Sequence, residues 1–257
     1  MQRSPRDVAR IALACLDLTS LNDADTEVQI AALCERAAGP CGPVAAVCVW
    51  PRLARFARAQ APTHVAVAAV ANFPDGSTEI QRALRDTGEI VQAGAQEVDL
   101  VLPYRALLAG DTQPCVALLD AVRRASEGLV LKVILETGEL REPALIALAA
   151  QLALDAGADF LKTSTGKTPV SATPQAAAAM LRAIAGDARA CARVGFKASG
   201  GIRSIADAAV YLDLVDAALG ASALTPARFR IGASGLLADI ESALGSEARG
   251  ESSGSSS

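Results

Sequence analysis

Residues 154–166, LDAGADFLKTSTG, repeat the plan of residues 91–103, VQAGAQEVDLVLP. In each, the end of a helix meets a glycine (Gly157, Gly94), and two or three residues later an apolar run begins. Glycine suits the left-handed position that terminates a helix. A helix turning at once into a buried strand, and doing so twice, is the unit of a parallel α/β fold.

Further apolar runs lie on both sides of this pair. Ile11–Leu18, Val44–Val49 and Val65–Val70 precede it, Val130–Leu135 falls between its halves, and Arg193–Lys197 and Phe229–Gly232 follow. Helical stretches separate them. One is expected to be capped by Asn22 and Asp23 and to run to Arg36; a basic one follows Pro51; others span about Thr78–Ala93, Cys115–Ser126, Pro143–Asp155 and Leu236–Leu244. Eight strand–helix units in 257 residues predict an α/β fold of the (β/α)8, or TIM barrel, type. A doubly wound open sheet is the alternative. No linker or shift of composition divides the chain, so residues 1–245 are expected to form a single catalytic domain. Residues 246–257 read as a flexible Ser/Gly-rich tail.

A hydrophobic fraction of 51% and a mean hydropathy of +0.31 raise the question of membrane insertion. Charges interrupt the long apolar stretches, as Asp207, Asp213 and Asp216 do within 205–224, and no uncharged run of about 18 residues occurs. The excess is alanine, as in Ala-rich helices. No signal-peptide pattern opens the chain, so a cytoplasmic protein is expected. A net charge of −4 with 3% aromatic residues argues against nucleic acid as a partner. The six cysteines are scattered, with no CxxC pair, and read as reduced thiols.

Among 24 basic residues only Lys132, Lys162, Lys167 and Lys197 are lysines. All fall at or just past the ends of apolar strands. Lysine can lose its proton near neutral pH when its surroundings favour it, whereas arginine cannot. The strand ends of the predicted barrel gather Asp17, Cys48, Asn72, Asp99, Lys132, Lys162, Lys197 and Gly232 at one mouth. A free lysine is neutral about once in 2,000 at pH 7, and making the neutral form dominant costs about 4.6 kcal/mol. Burial and a neighbouring ammonium both act in that direction, and Lys197 and Lys132 are the candidates for the neighbour. A neutral Lys162 can attack a carbonyl and form an imine. Structural ion pairing is the competing reading for any one of these residues.

Glycine turns follow the seventh and eighth strands: Gly200-Gly201 with Arg203 and a capping Ser204, and Gly232-Ala233-Ser234-Gly235. Such turns at helix N-termini form the phosphate site of many barrels, and Lys167 adds a point charge. The stretch STGKT (164–168) is not a P-loop, because Leu161 stands where that motif needs glycine. The single histidine, His64, precedes the third strand at the far end of the barrel. Histidine catalysis and a His-ligated metal are therefore not expected, and no cofactor is called for.

LDLTSLN (16–22), VCVWP (47–51), NFPDG (72–76), EVDLVLPYRALLAGD (97–111), LKVILETGEL (131–140), DFLKTSTGK (159–167), VGFKASGGIRS (194–204) and RIGASGLL (230–237) follow one another in order. With these segments the chain closely resembles the 2-deoxy-D-ribose-5-phosphate aldolases. The resemblance implies a metal-independent class I aldolase of deoxyribonucleotide catabolism. Its expected reaction is cleavage of 2-deoxyribose 5-phosphate to acetaldehyde and glyceraldehyde 3-phosphate. It assigns Lys162 as the Schiff-base lysine, Lys197 as the neighbour that lowers its proton affinity, and Asp99 as the group that moves protons through a water. It places Asp17, Thr19, Cys48 and Lys132 around the substrate. Gly166, Lys167, Gly200, Gly201, Arg203, Gly232 and Ser234 are assigned to the phosphate.

The chain departs from the family at Ala198-Ser199, where Pro-Ala is frequent, and at Gly235, where a second serine is frequent. Its end, GESSGSSS, lacks the terminal tyrosine of some members. Three alternatives remain: an aldolase for another phosphorylated substrate, a sugar-phosphate isomerase, and a non-catalytic sensor. The expected partners are small sugar phosphates and aldehydes. A homodimer is compatible with the chain.

Overall fold

Strands buried on both faces need a layer outside and a filled interior within. The computed structural model, which describes residues 3–245, supplies both. Eight strands lie in chain order around a closed parallel barrel: β1 (Leu16–Thr19), β2 (Ala46–Val49), β3 (Ala66–Ala71), β4 (Glu97–Val101), β5 (Val130–Ile134), β6 (Phe160–Lys162), β7 (Gly195–Ser199) and β8 (Phe229–Ala233). β1 closes the ring against both β2 and β8, with Asp17 opposite Ala46 on one side and Gly232 on the other. The TIM barrel reading therefore holds, and the open sheet does not. The tail after residue 246 lies outside the described residues.

Side chains alternate along each strand. The outward set is apolar (Leu16 and Leu18, Val47 and Val49, Val98 and Leu100, Leu131 and Val133, Phe229 and Ile231) and is buried beneath the helices. Those helices turn a small-residue stripe inward. Ile80–Gln92, for example, buries Ala83, Thr87 and Ile90 at helical spacing. Pro143 opens Pro143–Asp155 as expected, and Gly94 and Gly157 take φ of 73° and 81° just past their helices. No helix among the described residues is long and apolar enough to cross a membrane. The six cysteines are unpaired.

The expected element boundaries need correction at the start of the chain. Residues 11–14 belong to a helix, Pro5–Ala14, capped by Ser4, and the strand begins only at Leu16. Val8, Ala9, Ala12 and Leu13 form its buried stripe, so an apolar run that looked like a strand was the inner face of a helix. The next helix starts at Glu27, not after Asn22-Asp23. Thr26 and Gln29 form its capping box, while Asn22 donates its backbone N–H to Asp25 in the turn before it. β7 also runs two residues further than expected, to Ser199.

Two glycines on inner-facing positions make room for the barrel's contents. A Cβ at Gly195 would lie 2.2 Å from the Phe160 ring, and one at Gly232 would lie 2.6 Å from Ser199 Oγ and 3.0 Å from Lys197 Cε. The Phe160 ring is buried and packs against the Arg230 guanidinium, 5.5 Å above its centre, which opposes its displacement. Gly195→Ala should therefore cost about 1–3 kcal/mol by overpacking. Urea unfolding is expected to show a lower midpoint with an unchanged slope.

Candidate active site

On the inner face, alternation sets the acids Asp17, Glu97 and Asp99 against the cations Lys132, Lys162, Lys197 and Arg230. All seven are less than a tenth exposed. Lys132 Nζ donates to Glu97 and, at 2.9 Å, to Asp99 Oδ1, with Asp17 Oδ2 3.4 Å away. Lys197 Nζ donates to Asp17 Oδ2 at 2.5 Å and to Asp99 Oδ2 at 2.7 Å. Lys162 Nζ has one carboxylate contact, that same Asp99 Oδ2, also at 2.7 Å. Beneath them Arg230 bridges Asp17 Oδ1 at 2.6 Å and Glu97 Oε1 at 2.7 Å.

Burial penalises every one of these charges, and their partners decide the outcome. Asp99 and Asp17 are desolvated, yet the surrounding lysines hold both below the usual carboxylate range. Lys197 and Lys132 are desolvated too, but the carboxylates raise both above the ordinary lysine value. Lys162 goes the other way. Desolvation lowers it, Asp99 opposes, and the Lys197 ammonium lowers it again. The Cys48 thiol, 3.8 Å from Asp99 Oδ2, is pushed up to about 11 by burial and stays protonated.

Above this layer opens a cleft of about 370 Å³ between the turns that follow β1, β6, β7 and β8. Thr19, Gly166, Lys167, Gly200, Gly201, Arg203, Gly232 and Ser234 line it. Lys162, Lys197, Asp99, Asp17, Cys48 and Lys132 lie below its wall, and Thr19 and Gly232 separate the two zones. Lys167 Nζ donates to Leu21 O at 2.7 Å, which ties the β6 turn to the β1 turn across the cleft. Gly166, Gly200 and Gly201 have φ of 79°, 87° and 82°. A Cβ on Gly200 would meet Ser171 at 2.5 Å, so glycine is required there twice over. Ser204 caps Ile205–Leu219, and Asp207 accepts the N–H groups of Arg203 and Ser204.

The structure refines the expected mouth in two respects. Asp17, Asp99, Lys132 and Lys197 are not at strand ends but one layer inside them; only Lys162 is the last residue of its strand. Asn72 does not face the cleft. It has φ of 54°, and its amide donates to Ser77 O and Val101 O, so it holds a turn.

Sequence reasoning missed Glu97, Arg230 and Glu136. Glu97 and Arg230 each lie two residues before an inner-facing position (Asp99, Gly232), and that spacing could have found them. Glu136 follows β5 in a left-handed conformation and is fully buried. It accepts the Thr165 hydroxyl at 2.5 Å and the Thr168 hydroxyl at 3.3 Å, and burial raises its proton affinity.

A closed parallel barrel with a buried amine at its rim, beneath a cleft edged by glycine turns, is the architecture of a barrel lyase. A model of the DeoC/LacD family aldolases matches residues 11–241, and the chain belongs to that family. Among solved structures it is similar to the apo form of a provisionally assigned deoxyribose-phosphate aldolase from Toxoplasma gondii ME49. That pair shares 26% identity over 94% of this chain and 97% of the other, with a TM-score of 0.86. A provisionally assigned counterpart from Coccidioides immitis is 29% identical over 91% and 87%, with a TM-score of 0.79. The tetrameric deoxyribose phosphate aldolase from Aeropyrum pernix is 27% identical over 93% and 92%, with a TM-score of 0.71.

The depressed carboxylates tie stability to pH. Their contribution is fully present above the unfolded aspartate value of about 3.9 and is lost as pH falls below it. Asp17→Asn, which takes from Lys197 and from Arg230 one of the two carboxylates each holds, should cost about 3–5 kcal/mol at pH 7. Its melting temperature should also fall less than that of the unaltered protein between pH 5 and pH 3, both followed by calorimetry.

Proposed function

We propose that the protein is a Schiff-base aldolase that reversibly cleaves 2-deoxy-D-ribose 5-phosphate to acetaldehyde and D-glyceraldehyde 3-phosphate. The observation that carries this reading is Asp99 Oδ2, which accepts from Lys162 and Lys197 at 2.7 Å each. The two amines are held against one oxygen, and only Lys162 is driven toward its neutral form. The deoxyribose-phosphate assignment of the similar structures supports the substrate.

In this mechanism the Lys162 lone pair adds to the C1 aldehyde, and the carbinolamine loses water to give a protonated imine. Removal of the C3 hydroxyl proton breaks the C2–C3 bond and releases glyceraldehyde 3-phosphate. The bonding pair passes into the imine, leaving an enamine. Protonation of the enamine carbon and hydrolysis return acetaldehyde and the free amine. Asp99, charged and adjacent to Lys162, is placed to pass protons through a water. Lys197 stays an ammonium and keeps Lys162 poor in protons, and Asp17, Thr19, Cys48 and Lys132 shape the polar floor. The phosphate fits the turns of Gly166-Lys167, Gly200-Gly201 with Arg203, and Gly232 with Ser234. There backbone N–H groups and two exposed cations can meet a dianion.

Borohydride reduction of a mixture with acetaldehyde should leave an N-ethyl group on Lys162, a net gain of C2H4 on its peptide; an unmodified Lys162 would defeat the reading. Lys197→Met should lower kcat/KM on deoxyribose 5-phosphate by roughly 100-fold or more at pH 7. It should also move the acid limb of the rate profile to higher pH, because loss of a nearby positive charge lets Lys162 hold its proton more tightly.

A further inference from the structure

We infer that Arg230 and Glu97, which lie beneath the amine layer and outside the cleft, are positioning residues whose charges decide that Lys162 is the lysine without a proton. The inference rests on the reading of Lys162 as the amine nucleophile.

The hydrogen-bonded network holds three carboxylates (Asp17, Glu97, Asp99) and four cations (Lys132, Lys162, Lys197, Arg230). One positive charge is in excess, in an interior that tolerates net charge poorly. Arg230 cannot yield its proton. Lys132 has three carboxylates within 3.4 Å, and Lys197 has two. Lys162 has one, shared with Lys197, so the excess is cheapest to remove there. Without Arg230 the network would be neutral with all three lysines charged. Without Glu97 the excess would double.

Position and surroundings support this role. Arg230 stacks over Phe160, which precedes Lys162 by two residues on the same face of β6, so the guanidinium sits about 7 Å deeper along the strand. The other groups around Lys162 are accounted for. β2 presents Cys48 as a neutral thiol, and β3 presents Ala68 and Val70. Glu136 approaches from the turn after β5 and feels the Lys162 charge, but its hydrogen bonds go to Thr165 and Thr168 and to no member of the network, and burial raises its proton affinity. The Lys167 ammonium is engaged at Leu21 O.

The test is the pH at which cyanoborohydride trapping of acetaldehyde on Lys162 reaches half its maximal rate. It is measured by peptide mass spectrometry alongside the kcat/KM profile. Arg230→Met should raise that pH by about one unit and Glu97→Gln should lower it by a similar amount. The double variant should return toward the unaltered protein, and Arg230→Lys should leave the midpoint unmoved. A purely structural role would slow all variants without opposite displacements, and shifts of the same sign, or none, overturn the inference. Should Arg230→Met and the double variant not fold by circular dichroism, Glu97→Gln and Arg230→Lys decide: a lowered midpoint in the first with none in the second upholds it, and any other pair of results overturns it. Trapping at Lys162 in the unaltered protein with unmoved variants rejects this inference alone. No trapping there rejects the aldolase reading itself, and this inference with it.

Discussion

Two lysine nitrogens on one carboxylate oxygen is an arrangement that stability alone does not favour. In water the pair would drift apart. Inside the barrel Lys162 and Lys197 both stay 2.7 Å from Asp99 Oδ2, because the strands that carry them are adjacent and in register, Lys162 opposite Lys197. Buried ion pairs seldom add stability over well-packed apolar residues of the same volume, since desolvation offsets their attraction. A barrel filled with seven charges in place of aliphatic layers thus gives up stability, and the compensation has to come from its chemistry.

The fold is arranged to tolerate that interior. The outward faces of the strands and the helix faces packed on them carry most of the apolar burial, which leaves the lumen largely free of that task. Gly195 and Gly232 remove the Cβ atoms that would otherwise displace Phe160 and Lys197. Depth then sorts the residues. Arg230 and Glu97 lie lowest, Lys132, Asp17 and Lys197 above them, and Lys162 at the last residue of its strand, the nearest of the buried amines to the cleft.

Much of this was legible in the chain. The helix–glycine–strand unit of 91–103 and 154–166 predicts the parallel barrel, and the scarcity of lysine draws attention to Lys132, Lys162 and Lys197 before any fold is drawn. The failures have physical causes. An apolar run such as Ile11–Leu18 carries no period long enough to separate a helical stripe from a strand. Taking strand ends as the chemical positions overlooked that inward residues recur every second place, so Glu97 and Arg230 reach the same lumen from one layer down. Glu136 was illegible for another reason. Its role depends on a left-handed backbone and on threonines about thirty residues away, and neither leaves a local mark.

The separation between cleft and network has a consequence for the proposed chemistry. The cleft is edged by exposed backbone turns and two cations, Lys167 and Arg203, whereas the amine zone is built from buried charges that share hydrogen bonds. A substrate held by its phosphate would present its far end to Lys162, so binding energy gained away from the reacting bond can orient the carbonyl over the amine. The two zones meet at few places. β6 joins them directly, since Lys162 ends the strand and Gly166 and Lys167 follow within its turn, which Glu136 fastens through Thr165. In the proposed chemistry a shift of that turn would move the phosphate contacts and the nucleophile together, whereas the carboxylates beneath are held by Arg230 and Lys132. On the proposed reading, orientation is set on the loop side and protonation on the barrel side, and Lys162 is the residue on which both act.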